Sequence, residues 1–244
     1  MSNTRKRLCL LLIALVPLLL PLDAQAQNGT AYRVQTTRWR AADRAFAAWQ
    51  LDGLTLSQNG ALQLDLQKAR AGTDPYAPGR YRQGSFYNGG AFVVGEATGP
   101  IVTPAFAFSE AVPSWNASTP SGTWLEVQLR ARIGARWTGW YNLGVWASGG
   151  EAPARHSVSG QADASAYVDV DTLKLGTRAR PTTASAYQMK LRLFASEREV
   201  EAAPSVTNAS VVVSTTPSNP ARLAAGSRAR WGKTLAVPEC SQMV

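Results

Sequence analysis

An alternation of apolar and polar side chains over residues 123–133 constrains the fold of this chain more than any other feature. One face would carry Thr123, Leu125, Val127, Leu129, Ala131 and Ile133, and the other Trp124, Glu126, Gln128, Arg130 and Arg132. A period of two residues fits a β-strand and not a helix. Gly134-Ala135 can turn the chain before a second, aromatic-rich segment that ends at Trp146. The sequence therefore predicts a long antiparallel hairpin with a core face and a solvated face.

Other segments carry strand and turn signals of the same kind. Asn59-Gly60, a strong hairpin signal, lies between two leucine-rich strips. No helical stripe after the N-terminal segment exceeds two turns. We therefore expect an all-β fold, a β-sandwich or jelly-roll-like domain. The further strand candidates are residues 54–56, 62–66, 91–95, 106–108, 166–175, 187–193 and 211–213.

Three segments lack a strand pattern, and two of them predict a loop or a turn region. Residues 27–44 are polar and mixed in character. Residues 71–90 are rich in Gly, Pro, Tyr and Asn, which is typical of a long loop. Residues 113–122 contain two prolines and read as a turn region that leads into the hairpin.

The N-terminal 26 residues have the composition of a secretory signal peptide. Arg5, Lys6 and Arg7 precede an apolar run over residues 8–22, and Ala24-Gln25-Ala26 fits a cleavage site. The alternative is an uncleaved membrane anchor, but the run is short for a span and contains Pro17. We expect a secreted or periplasmic protein, with no membrane span after cleavage. The predicted divisions are residues 1–26, signal peptide; 27–213, β-sandwich; 214–232, linker; and 233–244, the start of a further domain.

The formal net charge of +9 could favour anionic partners such as nucleic acid, acidic glycans or lipid headgroups. The arginines are scattered, however, and no block of five like charges occurs. This pattern is more typical of a soluble, solvated surface. We therefore expect no nucleic-acid partner, and extracellular or cell-wall glycan or peptide as the possible ligand.

Few residues could support nucleophilic catalysis or metal binding. His156 is the only histidine, and Cys9 and Cys240 are the only cysteines, so no disulfide remains within the chain after cleavage. A Cys240–His156 pair would be a minimal thiol site, but it would sit four residues from the end of the chain. Asp163, Asp169 and Asp171 could bind calcium, although alternation explains the last two equally well. We expect no catalytic residue, no metal and no cofactor.

A concentration of aromatic side chains follows the hairpin. Exposed aromatic rings stack on sugars or bases, and nearby arginines would favour acidic ligands. The alternative is that most of these rings fill the sandwich core, because a large exposed apolar patch promotes aggregation. The candidate ligand-binding aromatics are Trp124, Trp137, Trp140, Tyr141 and Trp146.

Taken together, several motifs resemble the N-terminal region of secreted bacterial papain-like cysteine peptidases of peptidase family C39. The resemblance spans most of residues 46–244. The motifs are Ser114-Trp115-Asn116-Ala117, Thr119-Pro120, Gly122-Thr123-Trp124, the strand that follows, Arg136-Trp137-Thr138-Gly139-Trp140-Tyr141, Arg155-His156-Ser157-Val158, Gly160-Gln161, Asp163, Asp171-Thr172-Leu173, Ala236-Val237-Pro238 and Ser241-Gln242-Met243.

The resemblance implies a non-catalytic β-sandwich module placed before a peptidase domain. In that family a segment carrying the nucleophilic cysteine follows the Val-Pro and Ser-Gln-Met motifs. Cys240 precedes Ser241, so it does not match the nucleophile, and we expect the chain to be truncated before the catalytic residues. Two alternatives remain: a free-standing carbohydrate- or surface-binding module with a Trp/Arg face, and a structural or adhesive envelope protein.

Overall fold

The computed structural model describes residues 32–73, 91–148, 155–158, 160–196, 200 and 202–215. Within these ranges the chain is almost entirely β-structure, which confirms the expected all-β class. Two short 3₁₀ turns, Ala41–Asp43 and Ala45–Ala48, follow the first strand. The strands are β1 Val34–Arg40, β2 Gln50–Asp52, β3 Leu54–Leu56, β4 Leu62–Leu64, β5 Arg70–Thr73, β6 Ala91–Thr98, β7 Glu110–Ser118, β8 Thr123–Ile133, β9 Arg136–Trp137, β10 Tyr141–Trp146, β11 Ala166–Asp169, β12 Thr172–Thr177, β13 Arg180–Pro181, β14 Ala186–Ser196 and β15 Ser205–Ser214.

The described strands form two antiparallel sheets that pack face to face. The first sheet has the order β11-β12-β7-β15-β4-β3, with β1 also paired to β15 and β13 to β12. The second sheet has the order β10-β8-β14-β6-β2, with β5 paired to β6 and β9 to β8. This arrangement is a β-sandwich.

The core lies between the two sheets, and β8 and β14 contribute a central row of aliphatic side chains. Leu125, Val127 and Leu129 of β8 are fully buried and lie opposite Leu193, Leu191 and Met189 of β14. Burying a side chain of this size stabilises the fold by about 1.5–3 kcal/mol. A slip of one residue in this register would turn the whole apolar row toward solvent, so the alternation fixes the pairing.

The predicted hairpin is present, but two of the five residues on its predicted solvated face are buried. Gly134 turns the chain with φ of +59°, and β10 then pairs with β8 from Leu129 to Leu125. Trp124 and Glu126, expected in water, have exposed fractions of 3% and 0%. The period-two pattern separated the two faces correctly, but it did not show that other residues pack over the outer one.

Only residues 119–122 of the predicted turn region turn the chain, because β7 runs through Pro113 to Ser118. The pattern failed here because a proline inside a strand usually argues against one. On one side of β7, strand β12 pairs only with Glu110 and Ala111. The edge of β7 is therefore open at Pro113, where the N–H that proline lacks is not needed for strand pairing.

The polar, mixed composition of residues 27–44 gave no strand signal, yet β1 pairs along β15 from Arg40 to Val34. Two other local predictions were wrong. Residues 106–108 do not form a strand, and Phe108 makes only an isolated bridge to Ala184. The alternation over 166–175 is two strands, β11 and β12, joined at Val170 and Asp171.

Several predictions fall on residues that the structure does not describe. They are the signal peptide, most of the loop predicted over 71–90, and the segments predicted as linker and as the start of a further domain. Within the described ranges, no helix is long and apolar enough to cross a membrane.

Candidate functional site

Trp124 belongs to a small apolar cluster on the outer face of the second sheet, the face that points away from the first sheet. Its ring stacks on Phe194 with centroids 5.1 Å apart and planes 6° apart. Phe92 meets both rings edge to face. Val145 and Val158 complete the burial of this cluster together with Val94 and Ala147. Trp124 is therefore part of a packed core, and its position offers no open ring face for a ligand.

Beside this cluster, Glu126 is a fully buried carboxylate with its charge balanced. Asn142 Nδ2 donates to Glu126 Oε1 at 2.7 Å, and Arg192 Nη1 donates to Oε2 at 2.8 Å. Gln128 Nε2 adds a longer hydrogen bond of 3.2 Å. A buried charge is tolerated when it is paired and hydrogen-bonded, as here.

Arg192 joins Glu126 to a second carboxylate, Glu96, through a 2.9 Å contact. Lys190 and Arg70 lie 3.5 Å and 3.6 Å from the same carboxylate. Burial alone would raise the pKa of Glu96, but the charges of Arg192, Lys190 and Arg70 outweigh it and hold the pKa below its usual value. The charged groups at the centre of the outer face thus satisfy one another.

Trp137 and Trp140 pack on cations of the same face. The Arg130 guanidinium lies 4.7 Å from the Trp137 ring centroid and 4.6 Å from that of Trp140. Lys190 Nζ is 4.7 Å from the Trp140 centroid. Gln188 Oε1 accepts two hydrogen bonds from Arg130, of 2.6 Å and 3.0 Å. The Trp/Arg grouping expected from the sequence exists, and its cation–π contacts stabilise the surface.

Tyr141 points into the sandwich and is buried, with its hydroxyl donating to Asp163 Oδ2 at 2.6 Å. Burial, and then the hydrogen bond and charge of Asp163, raise the pKa of Tyr141 well above its usual value. Burial raises the pKa of Asp163, but hydrogen bonds from donors including Tyr141 outweigh burial and hold the pKa below its usual value. This pair ties β10 to the loop before β11.

Trp146 lines a cavity at the edge of the sandwich, which we call the edge pocket. Its volume is about 370 Å³, and its wall includes Trp115, Trp146, Arg155, His156 and Asp171. The Trp115 and Trp146 rings meet edge to face at 6.4 Å and 83°. The Arg155 guanidinium lies 5.6 Å from the Trp146 centroid. Of the candidate aromatics, Trp146 is the one that borders this cavity.

Gly144 allows the edge pocket to form. It follows the bulge between β10 and β8, and a Cβ at this position would approach the Trp115 ring to 3.3 Å. The absence of a side chain lets the Trp115 ring of the first sheet lie against the edge strand of the second. The aromatic corner of the pocket thus depends on a glycine that breaks the local strand pattern.

A second cavity of about 460 Å³ adjoins the edge pocket and shares Ser157 and Asp171 with it. Its wall includes Tyr167, which carries the Arg178 guanidinium 4.8 Å from its ring centroid. Arg178 also lies 3.9 Å from Asp169. The two cavities thus lie on either side of Ser157 and Asp171, beside the β11–β12 turn.

The three aspartates considered for calcium are not brought together. Asp163 accepts from Tyr141 and from the backbone N–H groups of Ser165 and Ala166, and Asp169 lies near Arg178. Within the described ranges, no group of three or more acidic, histidine or cysteine side chains could hold a metal ion. Cys9 and Cys240 lie outside the described residues, so the structure does not address the Cys240–His156 pair.

The sequence did not reveal the edge pocket, because its wall comes from four separate segments. One signal was present: the apolar positions of the alternation are even-numbered up to Val170 and odd-numbered from Leu173. We attributed that segment to one strand, with Asp171 on its solvated face. In the structure Asp171 instead occupies a tight turn and borders the cavity.

A two-sheet antiparallel arrangement with a packed core defines the chain as an all-β sandwich domain. Residues 35–214 match the family model described as the Peptidase C39 N-terminal domain. The chain belongs to that family, as the motifs around Trp115, Trp124 and Trp140 indicated. The matched range covers nearly all of the described sandwich. No curated protein matches the chain.

Proposed function

We propose that this chain supplies the non-catalytic β-sandwich module of an exported cysteine peptidase. The observation that carries the proposal is the family match over residues 35–214, which coincides with the sandwich from β1 to β15. The module would hold or present material outside the cytoplasm for a peptidase domain. Hydrolysis itself would belong to residues of that other domain.

The buried and half-buried charged residues on the outer face of the second sheet support a structural role for that face. Glu126, Glu96 and Arg192 are closed into one ion-pair network. A general base or nucleophile must instead be free to reach a substrate atom.

A peptidase assay on the full chain tests the proposal. Hydrolysis of fluorescently labelled casein should not exceed the buffer rate, with or without a thiol-alkylating reagent. Cys240→Ser is the matched variant, because it removes the one thiol left after the expected cleavage. Casein hydrolysis that is lost in both the alkylated protein and Cys240→Ser would overturn the non-catalytic assignment.

The alternative of a free-standing surface-binding protein that uses its Trp/Arg face has weaker support. Trp137 and Trp140 already pack on Arg130, and Lys190 adds a second cation at Trp140. A sugar stacking on Trp140 would compete with cations at 4.6 Å and 4.7 Å, whereas at Trp146 it would compete with a more distant one at 5.6 Å. Trp137→Ala in a glycan-binding assay separates this alternative from binding at the edge pocket.

A further inference from the structure

The edge pocket combines an apolar corner with polar atoms that lack partners. Trp146 Nε1–H and Asp171 Oδ1 are both buried, and neither has a hydrogen-bond partner among the described residues. A buried polar atom without a partner costs free energy that a bound ligand can recover. One of these atoms is a donor and the other an acceptor, and both residues line the edge pocket, so a ligand that reached both after a side-chain adjustment would need both functions.

The turn that carries Asp171 is strained, which marks it as a candidate functional element. Val170 and Asp171 have φ of +43° and +60°, so the two-residue turn between Asp169 and Thr172 needs left-handed backbone at both positions. Asn-Gly is the favoured pair in such turns, and a β-branched valine is an outlier there. The Val170 side chain is also 82% exposed. Strained backbone of this kind concentrates at ligand sites.

We propose that the edge pocket binds a neutral saccharide unit. Sugar rings present apolar C–H faces to aromatic side chains and hydroxyls that both donate and accept, as Trp115, Trp146 and Asp171 require. The cavity of about 370 Å³ lies within the range of small-ligand pockets. The adjoining recess beside Tyr167 and Arg178 gives room for a second unit.

Other ligand classes fit this pocket less well. An anionic ligand would face the Asp171 carboxylate, and Arg155 already lies over Trp146. An extended peptide binds most readily by adding a strand to an open sheet edge. At β10 that edge is occupied at Val145, which exchanges two backbone hydrogen bonds with His156. This proposal rests on the proposed function and adds a ligand to the module. The binding assay tests the ligand and the peptidase assay tests the non-catalytic role, so either proposal can fail while the other stands.

Titration of the full chain with chitotetraose and with cellotetraose, followed by tryptophan fluorescence, tests the proposal. At least one of these probes should give a saturable change. Asp171→Gly should weaken that binding about tenfold, because it removes a charged acceptor. Trp146→Phe keeps a ring but removes the N–H, and should weaken binding about threefold to tenfold.

Val170→Asn is the matched control for Asp171→Gly. Both substitutions place a residue favoured in this type of turn, so both should raise or preserve the midpoint of thermal unfolding. Only Asp171→Gly removes the carboxylate, so Val170→Asn should bind the probe like the original chain. If Asp171→Gly loses binding without losing stability, the loss comes from the missing carboxylate in the edge pocket and not from unfolding.

Three results would overturn the proposal. One is the absence of saturable binding by either tetrasaccharide up to its solubility limit. Another is binding that Trp137→Phe weakens and Trp146→Phe does not, which would place the ligand on the outer face. The third is saturable binding of a tryptic casein digest at Asp171 with no response to either sugar, which would make the ligand a peptide.

Discussion

Glu126 and Arg192 form an ion pair, with Nη1 and Oε2 2.8 Å apart, and the carboxylate is fully buried. Glu126→Ala would leave the Arg192 guanidinium and the Asn142 amide without their main partner. We expect the free energy of unfolding to fall by about 3–5 kcal/mol, the usual effect of breaking a buried pair. Urea denaturation followed by circular dichroism measures this loss.

The matched control for Glu126 is the exposed pair of Asp52 and Arg70, whose atoms are 3.1 Å apart. Asp52→Ala should lower the free energy of unfolding by about 1 kcal/mol or less, because exposed pairs contribute little. Equal losses in Glu126→Ala and Asp52→Ala would show that the Glu126 network is solvated rather than buried.

Glu96 should make the stability of the domain fall in acid. Burial opposes ionisation of Glu96, but Arg192, Lys190 and Arg70 lower its pKa below the ordinary 4.5. A group with a lowered folded-state pKa stabilises the fold above its unfolded pKa and loses this contribution as pH falls. The free energy of unfolding should therefore drop below pH 4.5, and less steeply in Glu96→Gln. Identical pH profiles for the two proteins would refute this role.

Trp124 and Trp137 should respond very differently to truncation. Trp124→Ala removes a ring stacked on Phe194 and should cost about 3–5 kcal/mol of unfolding free energy. Trp137→Ala removes a cation–π contact with Arg130 and should cost about 0.5–2 kcal/mol. Thermal and urea unfolding of the two variants give the comparison. A larger loss for Trp137→Ala would contradict the burial that we describe.

Export should remove the first 26 residues. The basic Arg5-Lys6-Arg7, the apolar run and Ala24-Gln25-Ala26 predict a mature terminus at Gln27. Intact mass of the protein recovered from the periplasm or medium of an expressing bacterium checks this. A mass that retains residues 1–26 would favour a membrane anchor instead.

The hairpin and the long central strands were predictable because alternation is a local signal. β8 and β14 each repeat apolar residues at every second position, and their side chains meet across the register from Leu129–Met189 to Leu125–Leu193. This pattern reports which side chains share a face. It does not report what packs over that face, and so Glu126 was expected in water.

The remaining features depend on contacts between distant segments. Strand β7 can run through Pro113 because its neighbour β12 pairs only with Glu110 and Ala111. The edge pocket needs Trp115, Trp146 and Asp171, which come from three separate strands or turns. No local pattern encodes such a meeting, although the apolar positions change phase between Val170 and Leu173, at the β11–β12 turn.

The reactivity of Cys240 tests most directly whether this chain is a non-catalytic module. A catalytic cysteine reacts quickly because a neighbouring base stabilises its thiolate, whereas a cysteine without such a base does not. We predict that iodoacetamide alkylates Cys240 in the native full chain no faster than a cysteine in a short unstructured peptide at the same pH. His156→Ala should leave this rate unchanged. Alkylation faster than in the peptide, and slowed by His156→Ala, would contradict the account and identify a thiol–imidazole site.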